Sequence, residues 1–186
     1  KELSLKKLAA WCGGTIHPAD ADAAVTGTQI DSRLVRRGDL FVAIAGERVD
    51  GHDYVSKARE AGAAAALVSH LVDDPLPQIL VADTALAYGD MAREYRTETG
   101  VDVVAITGSV GKTTTKEMIA SVLAGKYRVS KTQGNHNNHL GLPITVFEMP
   151  ADTQEAVLEL GMNHFGEMHY LSSIAKPNVV VITNIG

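Results

Sequence analysis

The stretch VDVVAITGSVGKTT, residues 101–114, leaves the chain few folds to choose from. An apolar run rich in β-branched residues reads as a buried strand. Two glycines three positions apart then bend the chain, and GKTT opens a helical pattern over residues 112–123. Downstream the same alternation repeats. A short strand at 127–130 is followed by a helix near Pro143, a strand at 155–160, a helix at 165–175 and a strand at 178–183. Strands alternating with helices predict a parallel sheet whose ligands lie outside the carboxyl ends of its strands.

The bend also carries a chemistry. Glycines let successive backbone N–H groups turn inward on phosphate oxygens, Lys112 adds a mobile positive charge, and the Thr113 hydroxyl is a hard ligand suited to magnesium. Gly108, Ser109, Val110, Gly111, Lys112, Thr113 and Thr114 are therefore the candidate polyphosphate loop. Its spacing is short. Two residues separate Gly108 from Gly111 where the common phosphate loop has four, and Ile106 stands where the first glycine would be. An ordinary tight strand-to-helix turn is the competing reading.

Glu159 follows the apolar run AVL near the end of its strand, the place from which a carboxylate in phosphate-loop proteins reaches magnesium, so Thr113 and Glu159 form the candidate metal pair. Lys112 and Glu159 are the candidate catalytic groups. TQGNHNNHLGLP (132–143) and GMNHFGE (161–167) set amides and imidazoles on glycine-bearing backbone, apt for hydrogen-bonding a sugar, peptide or phosphate without adding charge. Neither HExxH nor thiol spacing is present to argue for zinc.

The amino-terminal part reads as a smaller α/β unit of mixed order. Ser4 is placed to cap a helix carrying Leu5, Leu8, Ala9 and Cys12, ended by Gly13-Gly14. Strands are expected at 25–30, 39–45, 64–69 and 78–82, with a helix at 53–61. Thr84 is expected to cap an amphipathic helix to about residue 96 that uses Leu86, Met91 and Tyr95, followed by a polar linker at 97–100. The expected domains are thus 1–83, a connecting helix and linker at 84–100, and 101–186.

Composition narrows the function classes. A 45% hydrophobic, 21% charged chain of 186 residues is that of an ordinary globular protein, and a net charge of −5 argues against nucleic acid held by a general basic field. The longest apolar stretch, AGAAAALV, is far short of the ~20 residues that span a bilayer. A single cysteine, Cys12, permits no internal disulfide and suits a reducing compartment.

TGSVGKTTTKEM, GNHNNHLGLP, ELGMNHFGEM and DSRLVRRGDLFVAIAGERVDGHDY together resemble the Mur ligases, the amide-bond-forming enzymes of peptidoglycan synthesis, over essentially the whole chain. The resemblance includes the shortened glycine spacing. It implies a UDP-sugar-binding amino-terminal domain, then a phosphate-loop ATPase domain, with ATP and Mg2+ as cofactors. Ser32, Arg33, Glu47, Arg48 and Val49 would line the UDP-sugar side, and Asn138, His139, Asn163 and His164 would face the muramoyl peptide. The second and third motifs resemble the branch that takes UDP-N-acetylmuramoyl-tripeptide and D-alanyl-D-alanine as substrates. Such a protein is expected to be a monomer of the bacterial cytoplasm, with neither nucleic acid nor membrane as partner.

The family pattern continues past ITNIG into a histidine segment, a carbamylated lysine and a third domain. The expectation is therefore a fragment without ligase turnover. The neighbouring ligase that adds the third amino acid is the alternative within the family. A nucleotide-dependent binding module is the alternative outside it, although the N-K-x-D segment of a guanine switch is missing.

Overall fold

The computed structural model describes residues 2–46, 49–162 and 166–185, which fall into two compact units, 1–91 and 92–186. In the first, strand β1 (Leu3–Ser4) leads into helix α1 (Leu5–Cys12). The Ser4 side chain accepts from the Lys7 N–H at 3.2 Å, and Gly13 closes the helix at φ 65°, a conformation that favours glycine. Strands β2 (Thr15–His17), β3 (Ala24–Val25), β4 (Gly27–Gln29) and β5 (Asp39–Val42) follow. A 3-10 turn (Gly51–Tyr54), α2 (Val55–Glu60), β6 (Ala65–Val68) and β7 (Gln78–Leu80) complete the run.

The sheet order is β2-β7-β6-β5-β4, with β2 antiparallel and the rest parallel, and β1 pairs separately with β3. Strands β5 and β6 are buried on both faces, as continuous apolar runs require. Phe41, Ala43, Ala66 and Val68 pack there with Val55 and Ala58 of α2.

Helix α3 (Thr84–Thr99) runs from the first unit into the second. Its cap differs from expectation. Asp83 Oδ1 accepts from the Leu86 N–H at 2.9 Å, while the Thr84 hydroxyl donates instead to Ala43 O at 2.8 Å. Leu86, expected in the core, is 54% exposed; Ala87, Tyr88, Met91, Ala92 and Tyr95 form the buried stripe. The expected linker residues Thr97–Thr99 belong to the helix, with the Thr97 and Thr99 hydroxyls donating back to the Arg93 and Arg96 carbonyls.

The second unit is wholly parallel in its sheet. Strand β8 (Asp102–Thr107) feeds α4 (Lys112–Leu123), followed by β9 (Val129–Lys131), α5 (Gly141–Phe147), β10 (Glu155–Glu159), α6 (Glu167–Ala175) and β11 (Val179–Ile182). The order β11-β8-β10-β9 puts β8 between the two later strands, with Glu159 opposite Ile106 and Ile182 opposite Thr107. The chain thus leaves β8 toward one side of the sheet and later returns to the other. That reversal is where open parallel sheets bind ligands.

Candidate functional site

Two places gather the candidate residues, one in each unit. In the second, the bend after β8 needs its glycines: Gly108 has φ 133° and Gly111 has φ 83°, both in the region that L side chains rarely adopt. Helix α4 begins at Lys112, and its first backbone bond runs from Thr115 N–H to Gly111 O. The N–H groups ahead of it have no acceptor within the helix, so the helix start offers donors and a positive dipole end. The Lys112 ammonium lies over the loop, donating to Gly108 O at 2.7 Å. Ser109, Val110 and Gly111 are exposed, and Thr114 is exposed on the first turn.

Strand β10 delivers Glu159 to this loop. The Thr113 hydroxyl donates to Glu159 Oε2 at 3.0 Å, so the expected metal pair is in contact. Glu159 is only 3% exposed, yet its carboxylate is well supplied. Asn137 Nδ2 donates to Oε1 at 3.0 Å, and the Glu159 N–H donates to Thr132 Oγ1 at 2.9 Å. The Lys116 ammonium, 2% exposed, stands 4.0 Å from Oε2 and donates to Thr132 O at 2.8 Å. It also lies 3.3 Å from Glu117 Oε1, and Lys131 pairs with the other Glu117 oxygen. A buried carboxylate with a hydroxyl, an amide and an ammonium around it is held in one orientation.

Sequence reasoning does not single out these partners. Lys116 carries no expectation of its own, and Thr132 and Asn137 fall in the stretch expected to hydrogen-bond a sugar, peptide or phosphate rather than to hold Glu159. Gly161 is the signal that points to Asn137. A Cβ there would lie 2.8 Å from Asn137 Cγ, so only glycine lets the amide approach. Asn138 acts locally, its Oδ1 accepting from the Leu140 and Gly141 N–H groups at 3.1 and 2.8 Å and so securing the entry to α5. His139 is exposed, and Asn163 and His164 lie outside the described residues.

In the first unit, Ile30, Asp31, Ser32, Arg33, Val49, Tyr54 and Lys57 border a cavity of about 630 Å³. Ser32 is buried and Val49 exposed, whereas Glu47 and Arg48 lie outside the described residues. Arg33 turns back on Asp31, donating through Nε to Oδ1 at 2.9 Å and through a terminal nitrogen to Oδ2 at 2.6 Å. The Arg33 side chain, and then its backbone N–H, hold the Asp31 carboxyl at about 2, below its usual 3.8.

Asp50, His52 and His70 also converge, with their ligand atoms within 4.8 Å of one another. Both ring nitrogens of His52 are already committed. His52 Nε2 accepts from the Ser69 N–H at 2.9 Å, which leaves Nδ1 to donate to Asp50 at 2.5 Å. The ring is a structural strut with no lone pair left for a cation.

Comparison with known proteins covers both units. Residues 24–112 match the family model described as "Mur ligase family, catalytic domain", and residues 106–186 match "Mur ligase middle domain". The chain is 46% identical over 187 residues to the UDP-N-acetylmuramoyl-tripeptide–D-alanyl-D-alanine ligase of Bacillus subtilis, covering 98% of this chain and 41% of that one. It is 41% identical over 165 residues to the Escherichia coli protein of the same name, covering 89% and 36%. The crystal structure of MurF from Acinetobacter baumannii superposes with a TM-score of 0.94 at 38% identity, over all of this chain and 42% of that one. MurF from Thermotoga maritima, solved in complex with ADP, gives a TM-score of 0.77 at 34% identity, over 86% and 38%. The chain spans about two fifths of the length of these relatives. With adjoining family models matched from residue 24 to residue 186, and a fold shared along its whole length, this chain belongs to the Mur ligase family.

Proposed function

We propose that the chain carries the UDP-sugar-binding and ATP-binding parts of a ligase that joins D-alanyl-D-alanine to UDP-N-acetylmuramoyl-tripeptide in the bacterial cytoplasm. The observation that carries this reading is the 3.0 Å contact between Thr113 and Glu159, beside a glycine-bent loop at the carboxyl ends of parallel strands. Residues 1–83 take the sugar nucleotide, 84–100 connect, and 101–186 take ATP, all in a monomer.

The reaction begins with the tripeptide carboxylate attacking the γ-phosphorus of ATP, which yields an acyl phosphate and ADP. The amine of D-alanyl-D-alanine then displaces phosphate to form the amide. Attack by one anion on another needs charge neutralised and atoms held in line. The loop N–H groups and the Lys112 ammonium bind and orient the phosphates. Thr113 and Glu159 offer two hard oxygen donors in contact, a set that fits magnesium, which supplies charge neutralisation when bound. Asn137 and Lys116 keep the Glu159 carboxylate turned toward the loop. On the other unit, Ser32, Arg33 and Lys57 give the cavity polar groups suited to a nucleoside diphosphate.

Calorimetric titration tests the assignment. The chain is expected to bind ATP in the presence of magnesium in preference to GTP, and to bind the UDP-muramoyl tripeptide separately. Lys112→Ala is expected to weaken ATP by ~10-fold or more through loss of a charge-assisted contact, leaving the sugar nucleotide unaffected. ATP binding indifferent to Lys112→Ala and Glu159→Gln would overturn the reading. In the whole enzyme, D-alanyl-D-alanine rather than lysine or diaminopimelate should drive phosphate release.

A further inference from the structure

The candidate loop is held by residues that the phosphate-binding motif does not include. Immediately after β11, the Asn184 side-chain carbonyl accepts from two consecutive loop amides, Ser109 N–H at 3.0 Å and Val110 N–H at 3.1 Å. Its neighbour Thr183 donates its hydroxyl to Val110 O at 2.6 Å and its N–H to Thr107 O at 2.9 Å. Four peptide groups at the start of the bend are thus engaged by two adjacent residues.

The fit is close. A Cβ on Gly108 would collide with the Thr183 hydroxyl and sit 3.0 Å from the backbone N and O of Asn184. Gly108 is therefore required by the strand next door as well as by its own φ of 133°.

We infer that Asn184, with Thr183, is a positioning residue for the nucleotide loop: it sets the curvature of residues 107–110 so that the amides opening α4 converge on the phosphates. The inference rests on the nucleotide-binding reading above. An amide oxygen is suited to this place because it satisfies two N–H groups without negative charge. A carboxylate of the same shape keeps both hydrogen bonds but sets a charge against the incoming triphosphate. Anion donation is left to the amides from Gly111 onward, where the helix end adds its dipole.

The test compares the parent chain with Asn184→Ala, Asn184→Asp and Thr183→Val, reading ATP affinity, hydrogen exchange of the Ser109 and Val110 amides, and thermal midpoint. Asn184→Ala is expected to lose protection at those two amides and to weaken ATP by ~10-fold, about 1.4 kcal/mol. Asn184→Asp is expected to retain the protection yet weaken ATP at least as much, and Thr183→Val to weaken it several-fold. UDP-sugar affinity should be unchanged in all three, and a thermal midpoint close to the parent's shows that the second unit is folded in the variants.

ATP affinity of Asn184→Ala within twofold of the parent would overturn the inference, and so would tighter binding, which would make the side chain a competitor of phosphate. A parent chain that takes up the sugar nucleotide but no ATP would overturn the nucleotide reading and this inference together.

Discussion

At the scale of single residues, the carboxylate of Glu159 depends on a glycine two positions further on. Because a Cβ at Gly161 would press on the Asn137 amide, Gly161→Ala is expected to turn that amide away from Glu159, leaving a buried oxygen short of a donor. The cost expected is about 1–3 kcal/mol in stability, read by denaturant unfolding, with a parallel loss of magnesium-dependent ATP affinity. Asp31 supplies a second check. Its carboxyl, held at about 2 by Arg33, contributes stability that is full above the unfolded value near 3.8 and is lost as pH falls toward 2. Arg33→Ala should return the Asp31 midpoint toward 3.8, measured by carboxyl NMR. An unmoved midpoint would mean that Arg33 is not its partner in solution. The sequence made Thr113 and Glu159 visible because a strand, a bend and a helix start fix their places. It hid Lys116, Thr132 and Asn137 because a buried partner of this kind is defined only by tertiary proximity.

At the scale of elements, α6 ends on a cation from a helix far away in sequence. Arg96 of α3, 6% exposed, donates through Nε to Ala175 O at 3.1 Å and through a terminal nitrogen to Lys176 O at 3.3 Å. It occupies carbonyls that a helix end leaves open and opposes the negative end of the dipole. Arg96→Met should cost about 2 kcal/mol, seen as a lower denaturant midpoint. Arg96→Lys should recover only part of it, since an ammonium cannot repeat the two-pronged geometry. Helices and parallel strands of the second unit were legible from their alternation. β1 and β2 were not, because two or three residues give no period to read. The α3 cap shifted by one residue because Thr84 found a buried carbonyl and Asp83 took over the exposed turn.

At the scale of the whole molecule, each unit has its own core and its own candidate ligand. Hydrogen exchange should therefore divide along the chain. UDP-muramoyl tripeptide is expected to protect amides around residues 30–57, and ATP those around 106–116 and 183–184. Protection by ATP confined to the first unit would contradict the assignment of sites. The change of pattern near residue 100 led to an expected division at 97–100, whereas the two compact units divide at 91/92, inside α3, because the helix runs on without a break in its periodicity. The overall charge of −5 is compatible with anionic ligands because a few cations stand where they are needed.

One of those cations never reaches solvent. With Lys116 fixed 4.0 Å from Glu159, the pocket is close to electroneutral before any guest arrives, so a lone divalent ion gains little by entering. Uptake of metal should then be cooperative with uptake of the triphosphate, whose own charge tips the balance, and the two should load as a single complex.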